Sequence, residues 1–243
     1  MKQIILTFSL ISFGFLFSEC SNKKATPSKD SSEKKVTAKK PLDDRKEVQR
    51  HADPETIDPY LEEIKTLLNF KEPIQESLEW KDSVGRHIVI MSQKDIYWTD
   101  SDYNTHDLQN AEVNCYHYLQ KNAEEKFTQV WKIQDYVKDC EVDAIAKFKK
   151  NVLQKTDLNE NGIAEVWVMY STACKGDVSP SILKLIMYEG NQKYKMTGET
   201  RVDIGSEYMG GNISSEGKFT ERPIFLEFAK TLWKKNVNEV FGE

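Results

Sequence analysis

With 34 Lys or Arg against 39 Asp or Glu in 243 residues, the chain carries a net charge of −5 and lacks the basic balance that binding to nucleic acid demands. Its length allows one domain with a substantial core or two small ones.

The amino terminus reads as an export signal. Lys2 supplies a positive start, residues 4–17 form an apolar run, and small or polar residues lead to Cys20. Fourteen residues are too few to span a bilayer comfortably. A cysteine at the end of such a run resembles the lipobox of bacterial lipoproteins, which implies acylation of Cys20, although Phe17 and Glu19 depart from that pattern. The alternative is ordinary cleavage near Ser18, releasing a soluble product.

Residues 20–52 are rich in Ser, Thr, Lys, Asp and Pro with almost no large apolar side chains, so they bury too little surface to offset the entropy of ordering. This predicts a tether. Residues 21–50 hold ten Lys or Arg against five Asp or Glu, and residues 1–20 are neutral, so the remaining chain nets −10. A basic tether would lie against anionic headgroups while the acidic domain is held off them; a merely solvated linker is the plainer reading.

Residues 53–243 read as a single α+β domain. Asp58 caps and Pro59 opens a helix whose Tyr60, Leu61, Ile64, Leu67 and Leu68 share one face. Short segments rich in Val, Ile, Tyr and Trp follow at 87–91, 95–98, 113–119, 127–137, 142–148, 165–170, 183–188 and 193–197, predicting an antiparallel sheet. Glu189-Gly190-Asn191-Gln192 is the clearest hairpin turn, with Gly190-Asn191 able to take positive φ. A closing helix over 221–240 carries Phe225, Phe228, Ala229, Leu232 and Val240, with Pro223 in its first turn. Both helices are expected to pack on the sheet.

The sharpest chemical feature is Asp157-Leu158-Asn159-Glu160-Asn161-Gly162-Ile163-Ala164-Glu165. A hard cation such as Ca²⁺ needs six or more oxygens, and alternate loop positions converge only where the backbone curls tightly. Asp157, Asn159 and Asn161 stand at positions 1, 3 and 5, Gly162 supplies the turn, the Ile163 carbonyl falls at position 7 and Glu165 at position 9. Val168 at position 12 removes the closing glutamate of an EF-hand. The loop instead resembles a single FG-GAP-type calcium cage, in which an acid at position 9 closes the shell and a strand follows. Two full charges among four side chains predict weak affinity, about 10⁻⁴ to 10⁻³ M. An Asx-type turn without metal is the competing reading.

The stretch 138–200 carries a broader likeness. Asp139-Cys140-Glu141-Val142-Asp143, Thr156 through Trp167, Cys174-Lys175-Gly176-Asp177-Val178-Ser179-Pro180, Leu183 through Gly190 and Lys193-Tyr194 resemble a family of secreted bacterial surface polysaccharide biosynthesis proteins. The resemblance implies a role in the cell envelope linked to lipopolysaccharide or other surface glycans, with outer-membrane anchoring on the periplasmic or the surface face, and no identified reaction. Glycan or polysaccharide-assembly proteins are the partners it implies.

Export makes a disulfide reasonable, and Cys20 aside, Cys115, Cys140 and Cys174 remain. Sequence alone leaves the connectivity open. A Cys140–Cys174 bridge is expected because both flank the segment around the calcium-type loop, where it would fix that loop's ends; it is worth about 3–4 kcal/mol in the chain-entropy model. Cys115, in an aromatic strand, is expected as a buried thiol.

Other constellations carry less. Residues 100–107 gather Asp100, Asp102, Asp107 and His106, and an Asp-x-Asp pair can hold the metal of a sugar-nucleotide transferase, but sugar nucleotides are cytosolic and a solvated loop explains the composition. His106 or His117 offers a general base without a recognisable nucleophile elbow. Trp131 and Trp167, with apolar neighbours, read as core more than as sugar platforms. The leading expectation is a non-catalytic, lipid-anchored envelope protein braced by calcium; a glycan-binding or adhesive module and a periplasmic hydrolase or transferase are its rivals.

Overall fold

A computed structural model describes residues 47–51, 58–99 and 108–239. The signal segment, Cys20, the tether as far as residue 46, the acidic 100–107 segment with His106, and Val240 lie outside these described residues.

Helix α1, Pro59–Leu68, begins where the sequence places it. The Asp58 carboxylate accepts the Tyr60 N–H at 2.9 Å, and the N–H that Pro59 lacks would have had no partner inside the helix. Asn69 ends the helix in the left-handed region at φ 50°. Leu61 and Ile64 face inward and pack with Phe70, Ile74, Ile88, Ile90 and Tyr116.

Where the alternating pattern predicts one sheet, the structure has two. In the first, β1 (Val48–His51), β2 (Glu76–Lys81), β3 (Arg86–Thr99), β4 (Leu108–Gln120) and β5 (Thr128–Cys140) follow in chain order, all antiparallel. The second contains β6 (Asp143–Phe148), β7 (Gln154–Thr156), β8 (Glu165–Lys175), β9 (Ile182–Glu189), β10 (Gln192–Glu199) and β13 (Ile213–Ser215). Its order is β13-β10-β9-β8-β6, with β7 also pairing β8. A small ribbon pairs β11 (Arg201–Asp203) with β12 (Tyr208–Gly210). A 3-10 turn, Gly217–Glu221, then leads into α2, Pro223–Asn236, shorter at both ends than the expected 221–240.

The two sheets pack face to face, and each carries a helix on its outer side. Leu78, Val89, Val113 and Ile133 of the first sheet meet Ala146, Val166, Val168 and Ile186 of the second. Trp167, Met169, Leu185 and Met187 point the other way, onto Phe219, Phe225, Ala229 and Trp233. Strand β8 is therefore buried on both faces, which is why its Val166–Tyr170 portion is a continuous apolar run instead of an alternating one.

Three further expectations are corrected. Composition places Val48–His51 in the tether, but these residues pair with β2 as an edge strand, where polar side chains are tolerated because one side meets solvent. The segments 87–91 and 95–98 are one strand, β3, whose register shifts between Lys94 and Tyr97. Such a bulge interrupts the period-two pattern without ending the strand. At the β9–β10 turn Gly190 takes φ 55°, whereas Asn191 is not among the positive-φ residues.

Candidate functional site at one end of the sandwich

The 157–165 loop joins β7 to β8 as the connection of a hairpin, with Thr156 opposite Glu165. Its polar side chains fold back on its own backbone. The Asp157 carboxylate accepts the N–H groups of Asn161 and Gly162 at 3.0 and 3.1 Å, and Asn159 Oδ1 accepts the Asn161 N–H at 3.2 Å. Asn161 Oδ1 accepts the Ile163 N–H at 2.8 Å. Gly162 has φ 80° with open space where a side chain would stand, so the turn expected at position 6 is present.

Glu165 closes the base of the loop. Its carboxylate is fully buried and accepts the Leu158 N–H at 2.9 and 3.1 Å and the Thr156 hydroxyl at 2.6 Å. Burial raises its carboxyl above the ordinary range; the bonds from Thr156 and Leu158 oppose that, while the charges of Asp157 and Glu189 add to it. Glu189 is a member the sequence did not indicate. It pairs with Glu165 across β8 and β9, and its Oε1 accepts the side-chain amides of Asn159 and Asn161 at 2.6 and 2.7 Å.

The donor set fits a hard cation by type: Asp157 and Glu165 carboxylates, Asn159 and Asn161 amide oxygens and the Ile163 carbonyl are all oxygen ligands, and each Asp157 oxygen keeps a lone pair beyond the N–H it accepts. Among the described residues no group of three or more His, Cys, Asp or Glu gathers closely enough to hold a metal. Calcium draws equally on amide and backbone oxygens, so a site for it need not gather three carboxylates. The hydrogen bonds are also those of stacked Asx turns.

The loop borders a cleft of about 280 Å³ at the end of the sandwich. Gly162, Ile163 and Ala164 form one wall and the β9–β10 turn, Gly190 and Asn191, adjoins them. A ladder of rings lines the inside. Trp80 stacks on His87 with centroids 4.5 Å apart and planes 5° apart, His87 lies 5.2 Å from His117, His117 lies 5.1 Å from Trp131, and Trp131 stacks on Tyr188 at 4.4 Å. The ladder crosses β2, β3, β4 and β5 and then passes to β9 in the opposite sheet. Trp131 thus belongs to the core, as expected, and also to the cleft.

A hydrogen-bonded relay runs along the ladder. Asp82 Oδ1 lies 3.0 Å from His87 Nε2, and His87 Nδ1 lies 2.9 Å from His117 Nε2. The carboxylate is acceptor only, so His87 donates from Nε2; its Nδ1 then accepts, and His117 donates from Nε2. What remains is the His117 Nδ1 lone pair, buried and without a partner among the described residues. Burial pushes His117 down to about 3, with His87 adding to the effect, and burial also lowers His87 against the pull of Asp82. Burial would raise Asp82, but His87 and the N–H groups of Val84 and Gly85 hold it below the ordinary carboxylate range. Both imidazoles are neutral near pH 7, and the cleft is lined by these buried, mutually stacked rings, by apolar Leu119, Val130 and Val166, and by few polar groups, the makings of a binding site.

The disulfide is present: Cys140 and Cys174 are bridged, 34 residues apart, with Cα atoms at 5.6 Å. It does not fix the calcium-type loop, as the sequence suggested. Cys174 stands nine residues along β8 from Glu165, roughly 30 Å away, and the bridge instead ties the end of β5 to the second sheet. Cys115 is a buried free thiol, raised far above its ordinary range by burial. The expected cluster of Asp102 and His106 lies outside the described residues. No family model, curated protein or solved structure matches the chain.

Proposed function

We propose that this chain is an exported, non-catalytic lipoprotein of the bacterial cell envelope that binds surface polysaccharide during its assembly, through the cleft bounded by the 157–165 loop. One observation carries the reading: residues 162–164 of the oxygen-rich loop, the Gly190-Asn191 turn and the Trp80, Trp131 and Tyr188 rings line a single cleft. The apolar lining with its aromatic rings suits the apolar face of a sugar, while the Asn191 amide and the backbone of residues 162–164 serve its hydroxyls. Export is supported by the Cys140–Cys174 bridge, since such bonds persist in oxidising compartments. Cys20 is the proposed lipid attachment point, and the basic stretch after it would rest on anionic headgroups.

Calcium is proposed at Asp157, Asn159, Asn161, the Ile163 carbonyl and Glu165. When bound it would brace the loop and supply no chemistry of its own. Asp157 and Glu189 both act on the buried Glu165 through their charge, and a cation there would relieve that repulsion.

The test is calorimetric titration of the purified chain with polysaccharide extracted from the producing strain, alongside the extracted polysaccharide of a deletion strain and its complement. Binding weakened by about tenfold in Ile163→Asp, together with an altered polysaccharide in the deletion strain, is expected. Ile163 is 46% exposed, so a charge there enters the cleft wall without disturbing the core. Binding with an unchanged polysaccharide would move the protein to adhesion, and no binding would remove the reading.

A further inference from the structure

At the opposite end of the sandwich lies a larger groove, about 630 Å³, independent of the cleft. Its lining reverses the character of the chain. Five lysines, Lys147, Lys149, Lys150, Lys175 and Lys235, face three carboxylates, Asp143, Asp177 and Glu239, in a protein whose net charge is −5. They come from four segments: β6, the turn after it, the end of β8 and the end of α2.

Setting aside the Lys175–Glu239 pair leaves four lysines against two carboxylates, an excess of two as before. Glu239 is engaged by Lys175 at 2.7 Å, by the Ser181 hydroxyl at 2.9 Å and by the Thr200 hydroxyl. Lys149, half-buried, donates to a neutral group, the Asn238 carbonyl, at 2.9 Å. Burial pushes its ammonium below the ordinary lysine range, Glu239 opposes this, and Lys175 adds to it. Lys235 has a structural reason to be here, because a cation at the last turn of α2 complements the helix dipole. Lys147 and Lys150 come from a different segment, in β6 and in the turn after it. Between the charges stand amides, Gln75, Gln93, Asn236 and Asn238, suited to hydroxyl groups.

We infer that this groove is a second binding site, for the carboxylate or phosphate groups of an acidic glycan. The lysines neutralise the anionic substituents and the amides bond the sugar hydroxyls. Excess positive charge over a volume larger than one small ion favours an oligomeric anion, whose repeating charges meet several lysines at once.

The experiment titrates the full chain with oligogalacturonate, with neutral dextran oligomers of equal length, and with phosphatidylglycerol vesicles. Oligogalacturonate is expected to bind, dextran is not, and added salt weakens the binding. The double variant Lys147→Gln/Lys150→Gln, both positions exposed, is expected to keep its melting temperature and lose about tenfold in affinity, whereas Ile163→Asp in the cleft leaves this binding unchanged. Absent binding overturns the inference. So does binding indifferent to the double substitution, which would belong to the basic stretch near the amino terminus, or vesicle binding with the same lysine dependence, which would make this a membrane-facing surface. Loss in Ile163→Asp alone would also overturn it while leaving the cleft reading intact.

Discussion

At one end of the sandwich neutral imidazoles are stacked between tryptophans, beside the buried Glu165 carboxyl; at the other an ion pair, Lys175–Glu239, stands beside a lysine-lined groove and near a disulfide. The same two sheets support both, so the difference lies in what each end asks of its side chains. At the cleft end burial holds His87 and His117 uncharged. The groove end keeps charge and surrounds it with donors: Glu239 receives bonds from Lys175, Ser181 and Thr200, and these hold its carboxyl below the ordinary range against the effect of burial. One end should therefore respond to acid, the other to reduction and to loss of charge.

The largest effect is expected at the bridge. Replacing Cys140 and Cys174 together by serine, or adding reductant, should lower unfolding free energy by about 3–4 kcal/mol, read from urea titration. A loss below about 1 kcal/mol would show that the sheets are held together without it. Next comes Glu239→Gln, which leaves the mostly buried Lys175 ammonium without its carboxylate and should lower stability by about 2 kcal/mol in the same assay.

Acid sharpens the comparison from the other side. The folded chain holds His117 at about 3 against an ordinary 6.5, so over that window the unfolded state binds more protons. The stabilising contribution is complete above pH 6.5 and is lost as pH falls toward 3, with a slope of up to about 1.4 kcal/mol per pH unit. Asp82, whose pKa is lowered, adds loss in the same direction once pH drops below its ordinary 3.8. Urea midpoints measured from about pH 7 to about pH 4 should fall steeply in the natural chain and less steeply in His117→Gln, which retains a donor for His87 and cannot titrate. Equal slopes would mean that His117 is not the acid-sensitive element. The smallest stability effect belongs to Ile163→Asp, within about 0.5 kcal/mol, since Ile163 is exposed; its consequence is confined to the cleft.

Local patterns made much of this fold legible. Asp58-Pro59 announced α1, the Glu189–Gln192 turn announced the β9–β10 hairpin, and Gly162 announced the turn of the oxygen-rich loop. Strands β1 and β2 were missed because one is a polar edge and the other, Glu76–Lys81, shows only Leu78 and Trp80 as apolar members. The second sheet was hidden for a related reason: a continuous apolar run such as Val166–Tyr170 signals burial on both faces without naming what covers each.

The site was half legible. Asp157, Asn159, Asn161 and Glu165 share a loop and could be read from spacing, whereas Glu189, His87 and His117 reach their positions through strand register. His87 stands opposite Trp80, and His117 opposite Val89 and Trp131, pairings made between residues as far as 30 apart in the chain, as the His87–His117 contact shows. Spacing along one segment carries no information of that kind.

The central claim is that the oxygen-rich loop and the aromatic cleft act as one site. Trp80 and Trp131 lie within that cleft, so tryptophan fluorescence during polysaccharide titration, with calcium present and with a chelator, reads both at once. The account predicts that calcium tightens polysaccharide binding in the natural chain and has no effect in Asp157→Ala. Identical affinity with and without calcium, in both proteins, would contradict it.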